Sequence, residues 1–152
     1  MLSRTGDFKV GVQGMMMNNH YMAGSEHFKV GFLDSGTTFT YLNQNLYNIV
    51  KLHFNWFCSI DPENNCKGRL DFSRNGYLCF SYSEQEFPDG PKRYFESFPI
   101  LRFLITTENR DDPYFYNWYP SEYLYRDTNT KYCVALDVNG SREIMMGGTF
   151  MR

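Results

Sequence analysis

The stretch Phe32-Leu33-Asp34-Ser35-Gly36-Thr37-Thr38-Phe39-Thr40-Tyr41-Leu42 decides the reading of this chain. Two large apolar residues lead into an acid, and a hydroxyl, a glycine and two more hydroxyls come after it. Phe28, Val30 and Phe32 alternate with other residues as a half-buried strand does, so the acid stands at the end of a strand. Gly36 lets the chain turn sharply there. Ser35, Thr37 and Thr38 bring donors beside the Asp34 carboxylate, and such donors favour its ionised form. A loop that only reverses direction has no need of three hydroxyls between Leu33 and Phe39.

Upstream, Phe8, Val10 and Val12 also alternate, and Met15, Met16 and Met17 continue the strand on alternating faces, which makes them core residues rather than a soft-metal cluster. Asn18-Asn19 marks a turn. Downstream, Asn43 caps a helix that runs to about Phe57, with Leu46, Ile49, Val50, Phe54 and Phe57 on one face. Residues 59–76 are polar and turn-rich, 77–82 read as a strand, and 87–91 as a loop. Residues 98–105 form a strong strand and 108–113 a polar loop. Two aromatic segments, 114–119 and 123–125, flank Pro120-Ser121. Asn139-Gly140, between Val138 and Ile144, is a two-residue hairpin signal. With Ser141 it is also a glycosylation sequon. The sum is a mostly β domain with one clear helix.

At 152 residues the chain holds one domain. Its net charge of −2 gives no electrostatic reason to bind nucleic acid or an anionic membrane. Aromatic content of 18 %, with 14 Phe and 12 Tyr, favours strands. The first ten residues do not form a signal peptide, so a secreted form would carry its targeting segment outside this chain. The even set Cys58, Cys66, Cys79 and Cys133 suits two disulfides in an oxidising compartment, with three connectivities open. Cys58–Cys66 would close a short loop through 61–65, and Cys79–Cys133 would then join two distant strands. Free buried thiols are the plain alternative. A zinc site of His53 with Cys58, Cys66 and Cys79 lacks the usual closely spaced cysteine pair. His20, His27 and His53 are scattered, and no metal is expected. Gly147-Gly148-Thr149 lacks the spacing and lysine of a phosphate loop.

Phe-Leu-Asp-Ser-Gly-Thr-Thr resembles the active-site signature of the pepsin-like aspartic proteases, in the form typical of their C-terminal lobe. The resemblance extends along the chain. Tyr41-Leu42 and the helix through Leu46-Tyr47 resemble the segment just after the family's active-site loop. Phe98-Pro99-Ile100 resembles the central strand, and Pro120-Ser121 with Tyr123 the family's Pro-Ser-x-Tyr segment. Ile144-Met145-Met146-Gly147 and Phe150-Met151-Arg152 resemble the apolar-apolar-Gly motif and its tail, where the glycine strand crosses beneath the catalytic loop. The implied fold is mostly β: one lobe of a bilobal protease with one or two short helices, residues 1–152 being a C-terminal lobe truncated at both ends.

The resemblance implies an endopeptidase that hydrolyses polypeptide substrates in the secretory pathway, without cofactor or metal. Asp34 would be one of two catalytic carboxylates. Ser35 would brace the two active-site loops, and Thr37 would hydrogen-bond the outer oxygen of Asp34. Gly36 would lie against the substrate with Thr38 near its backbone, Met145 would line a substrate pocket, and Gly147 would be the structural glycine. Cys79–Cys133 matches a disulfide of this lobe, and Cys58–Cys66 resembles a second bridge near the helix end. The second aspartate is expected from an N-terminal lobe of the same parent, since no second Asp-Thr/Ser-Gly and no Tyr-Gly-x-Gly flap occurs here; Asn75-Gly76-Tyr77 is a turn and Asp111-Asp112 a solvated loop. Two alternatives stand beside this: a non-catalytic protein-binding or inhibitor module on the same fold, and a homodimer that pairs two copies of Asp34.

Overall fold

The computed structural model of the chain describes residues 8–28, 31–60, 66–72, 76–107, 110–140 and 143–150. Val30, residues 61–65 (which the sequence reads as a turn), Asn75, Glu108, Ser141, Met151 and Arg152 lie outside them. Strands β1 (Phe8–Met17), β2 (His20–Gly24), β3 (Gly31–Leu33) and β4 (Thr40–Leu42) precede helix α1 (Gln44–Asn55). Strands β5 (Leu70–Phe72) and β6 (Leu78–Ser81) lead to the single-turn helix α2 (Lys92–Phe95). Strands β7 (Leu101–Thr107) and β8 (Arg110–Trp118) lead to a second single-turn helix, α3 (Pro120–Tyr123). Strands β9 (Leu124–Thr128), β10 (Lys131–Val134), β11 (Leu136–Val138) and β12 (Ile144–Met146) close the described chain.

Among the described residues one sheet has eight strands in the order β11-β4-β12-β3-β1-β7-β8, with β2 also paired to β1. A second sheet runs β5-β6-β10-β9. β1 is the spine of the larger sheet. Its first residues pair with β3, and the rest pair with β7 and β2, all antiparallel. The register shifts between Val12 and Gly14 against β7, and between Met15 and Met16 against β2. Irregularities of that kind bend a strand, which lets β1 serve two parts of the sheet. Met15 and Met17 are fully buried while Met16 is half-buried, so the three methionines alternate faces. Asn18 takes the left-handed conformation the turn demands (φ 51°). Its backbone N–H donates to the Ile100 carbonyl at 2.7 Å and its Oδ1 accepts from the Ile100 N–H at 2.8 Å, tying the turn to the start of β7.

α1 forms where the periodicity places it. The Asn43 Oδ1 accepts from the Leu46 N–H at 2.9 Å, satisfying an orphan donor of the first turn. Leu46, Tyr47, Val50 and Phe54 are buried, and the helix passes into a wide turn, Trp56–Ile60, that buries Phe57. Both disulfides are formed, Cys58–Cys66 and Cys79–Cys133. Cys79 and Cys133 stand directly opposite each other in the β6–β10 ladder and are fully buried. Neither the zinc reading nor the free-thiol reading survives this pairing.

Three local readings are corrected. Residues 110–113, read as part of a polar loop, belong to β8, which pairs with β7 as far as Thr107↔Arg110; Asp111-Asp112 is therefore on a strand. Pairing along β7 supplies hydrogen bonds that polar composition cannot veto. Residues 70–72, inside a stretch read as turn-rich, form β5 against β6, since Leu70 and Phe72 carry the two-residue alternation. Asn139-Gly140 does not join a hairpin. β11 pairs parallel with β4, and β12 lies on the other side of β4, so the two strands around Asn139 never meet. Asn139 instead donates from its backbone to the Leu42 carbonyl and from Nδ2 to the Glu143 carbonyl.

Candidate active site

The strand order builds the site. β3 and β4 are consecutive in sequence, yet β12 inserts between them, parallel to β3 and antiparallel to β4. The connection 34–39 must therefore cross over the end of β12. Where it crosses, the chain below is Gly147-Gly148-Thr149. A Cβ at Gly147 would lie 2.1 Å from the Phe39 carbonyl oxygen and 2.7 Å from that of Thr37, so only glycine fits. The two layers are stitched together. The Asp34 N–H donates to the Met146 carbonyl at 2.9 Å, the Gly148 N–H to Thr37 at 2.6 Å, and the Thr149 N–H to Thr38 at 3.1 Å. The Thr149 hydroxyl donates to the same Thr38 carbonyl at 2.8 Å.

On this floor Asp34 is half-buried at the end of β3, with Ser35, Gly36 and Thr38 exposed around it and Thr37 half-buried. The Gly36 N–H donates to Asp34 Oδ1 at 2.9 Å. That bond holds the carboxylate in one orientation. Gly36 does not use left-handed backbone, which the described glycines adopt only at Gly76 and Gly90. Its value is close approach, since a Cβ there would stand 3.1 Å from Asp34 Oδ1. The Thr37 hydroxyl donates at 3.2 Å to the main-chain carbonyl of Asp34, not to a carboxylate oxygen. So the donor on the carboxylate is a backbone amide, and the threonine shapes the loop. Met145, half-buried on β12, pairs with Phe32 and with Tyr41 on the two flanking strands. At the exit of the loop the Phe39 ring packs 5.1 Å from that of Tyr125 and 6.3 Å from that of Tyr77. The Tyr77 hydroxyl donates to Asp137 at 3.1 Å, and that bond raises the Tyr77 pKa above its ordinary value.

The layer under the glycines was not singled out from sequence. Thr40 and Thr149 are buried, and the Trp118 Nε1–H donates to the Thr149 carbonyl at 2.8 Å in the core. The Tyr116 hydroxyl donates to the Phe150 carbonyl, and its ring stacks on Phe150. β8 thus grips the segment that supports the Asp34 loop. Signals were present, in the threonine after two glycines and in the aromatic run before Pro120, but their meaning depends on the fold.

No family model matches the chain, and no curated protein is significantly similar to it. Solved structures are. The crystal structure of basic 7S globulin from soybean matches over 99 % of this chain and 36 % of that one, at 15 % identity and a TM-score of 0.61. The crystal structure of edgp matches over 99 % of this chain and 37 % of that one, at 15 % identity and a TM-score of 0.66. Both have the pepsin-like aspartic-protease fold. The chain spans little more than a third of either, and has the fold of one lobe. At this identity the likeness concerns fold alone.

Proposed function

We propose that the chain is the C-terminal lobe of an aspartic endopeptidase and that Asp34 is one of its two catalytic carboxylates. The observation that carries this reading is the Asp34 loop. A half-buried acid is held through Oδ1 by the Gly36 amide, over a floor whose Gly147 leaves no room for a side chain.

The chemistry needs two carboxylates about 3 Å apart that share one proton. Their repulsion splits the titration into two macroscopic steps. The ionised partner takes a proton from water, and the water oxygen bonds to the peptide carbonyl carbon. The protonated partner donates to the carbonyl oxygen. Collapse breaks the C–N bond as a proton passes to the departing amine. In this reading the second acid would come from the N-terminal lobe of the same parent. Ser35, exposed beside Asp34, would meet that lobe's loop; Thr38 and Met145 would face a polypeptide substrate. The two disulfides fit an oxidising compartment and support a place in the secretory pathway.

A second reading is a non-catalytic protein-binding or inhibitor module. It is favoured by the solved structures above, neither of which is named as a peptidase. The discriminating experiment expresses the chain within its full reading frame and measures peptide cleavage at acidic pH. Cleavage blocked by pepstatin supports the endopeptidase. A folded protein with no cleavage, or with pepstatin-insensitive cleavage, overturns it, and the inert outcome favours the binding module.

A further inference from the structure

Two of the three histidines are brought to one corner of the fold by β2 and α1. His20 opens β2, and His53 lies in the last turn of α1, which packs on β2. Together with Tyr21, Leu52 and Trp56 they line one open cavity of about 350 Å³. The His20 ring stands edge-on to Trp56, with centroids 4.7 Å apart. Trp56 lies three residues beyond His53, a spacing that makes side chains neighbours on one helical face. Trp56 is thus next to both histidines, to His20 by ring contact and to His53 by helical spacing, although the two are far apart in sequence.

The orientation of His53 is set by its backbone partner. Its Nδ1 lies 2.9 Å from the Ile49 carbonyl oxygen, and a carbonyl only accepts, so Nδ1 donates there and Nε2 is the ring nitrogen left for another partner. A backbone carbonyl on one ring nitrogen is the usual device for orienting a metal-binding imidazole. His27 is different, since its Nε2 stands 3.5 Å from a Glu26 carboxylate oxygen. Among the described residues no third histidine, cysteine, aspartate or glutamate forms a metal-binding group with His20 and His53. The corner thus offers two imidazoles, with the remaining coordination positions open to water.

We propose that His20 and His53 form a two-imidazole site for a late first-row divalent cation, Cu²⁺ or Zn²⁺. Imidazole nitrogen suits these metals, and Cu²⁺ stands at the top of the affinity order for such donors. Hard cations such as Mg²⁺ need oxygen ligands, which this pair does not supply. The site is separate from the Asp34 loop and does not depend on the protease reading. Spacing along the chain could not reveal a pair brought together by β2 and α1.

The test is a Cu²⁺ titration of the full chain monitored by tryptophan fluorescence. Trp56 is the reporter at the site, and Trp118, the other tryptophan, is fully buried in the core. Saturable quenching is expected. His20→Ala and, separately, His53→Ala should weaken it by roughly tenfold or more, the scale on which disturbing a metal site's ligand support acts. His27→Ala should leave the midpoint unchanged, Trp56→Phe should remove most of the signal, and Mg²⁺ should not quench. His20 is exposed and His53 half-buried, so the variants should fold; thermal melts check this, and His20→Gln with His53→Gln give a second pair. Absence of saturable quenching, or an unchanged midpoint in both histidine variants, would overturn the proposal.

Discussion

Gly147→Ala and Gly148→Ala are adjacent, chemically identical changes with opposite expected results. At Gly147 the new methyl would stand 2.1 Å from one backbone carbonyl oxygen and 2.7 Å from another, and neither can move as a flexible side chain can. The layers must part by about 1 Å to restore ordinary contact. That separation stretches the Gly148–Thr37 bond at 2.6 Å. It also stretches the two bonds Thr149 makes to the Thr38 carbonyl, at 3.1 and 2.8 Å. Three bonds at roughly 1 kcal/mol net each give about 3 kcal/mol. Residual overlap adds about 1–2 kcal/mol. The unfolded-state gain from replacing glycine returns only about 0.4–1 kcal/mol. The expected loss is on the order of 4 kcal/mol, or about 10 °C in Tm for a chain of this size. At Gly148 the nearest atom to a new Cβ is the Thr37 carbonyl oxygen at 3.4 Å, an ordinary contact. There the change should stay within about 1 kcal/mol. Urea melts of both variants decide the matter. Equal losses, or a Gly147→Ala protein as stable as the parent, would refute the crossing of β12 beneath the loop.

Other expectations rest on the surrounding fold. The Cys79–Cys133 bridge spans 54 residues and the Cys58–Cys66 bridge spans 8; loop-closure entropy assigns them about 4 and about 2.5 kcal/mol. Paired alanine replacements should therefore melt in that order, and the reverse order would count against entropic stabilisation. Trp118→Phe leaves the buried Thr149 carbonyl without its donor and should cost about 1–3 kcal/mol in a denaturant melt; an unchanged melt would show that β8 does not support the loop. Burial, with the Asp137 charge second, lifts Tyr47 from its ordinary 10.0 to about 12, so the fold favours the neutral phenol. That stability is fully present below pH ~10 and is lost as pH rises from ~10 through the raised value. Tyr123, raised by burial in the core, adds to the same alkaline loss. Phenolate absorbance should show a late group of tyrosines ionising together with unfolding, and a single titration at the ordinary pKa would contradict this.

What could be read along the chain was what neighbouring residues decide. Asn43 caps α1 because its side chain reaches only three residues onward. The methionines alternate because a strand does. The Asp34 motif is legible because its acid and its Gly36 donor are two residues apart. Reading failed where a distant strand decides. Asn139-Gly140 carries a strong local turn signal, but β11 and β12 each find β4 and are separated by it. Polar residues 110–113 become strand because β7 offers a ladder. Thr149 looks like a spare hydroxyl until β12 brings it under Thr38. The placement of donors was legible only in part: hydroxyls were expected on the Asp34 carboxylate, and a backbone amide does the holding.

The most direct measurement concerns the Asp34 carboxylate in the protein expressed with its full reading frame. Asp34→Asn keeps the shape and can still accept from the Gly36 amide, so the melt should be nearly unchanged, while loss of the acid–base group should lower kcat for peptide cleavage at acidic pH by roughly 10³-fold or more. Cleavage within tenfold of the parent, from a variant with an unaltered melt, would contradict a catalytic role for Asp34.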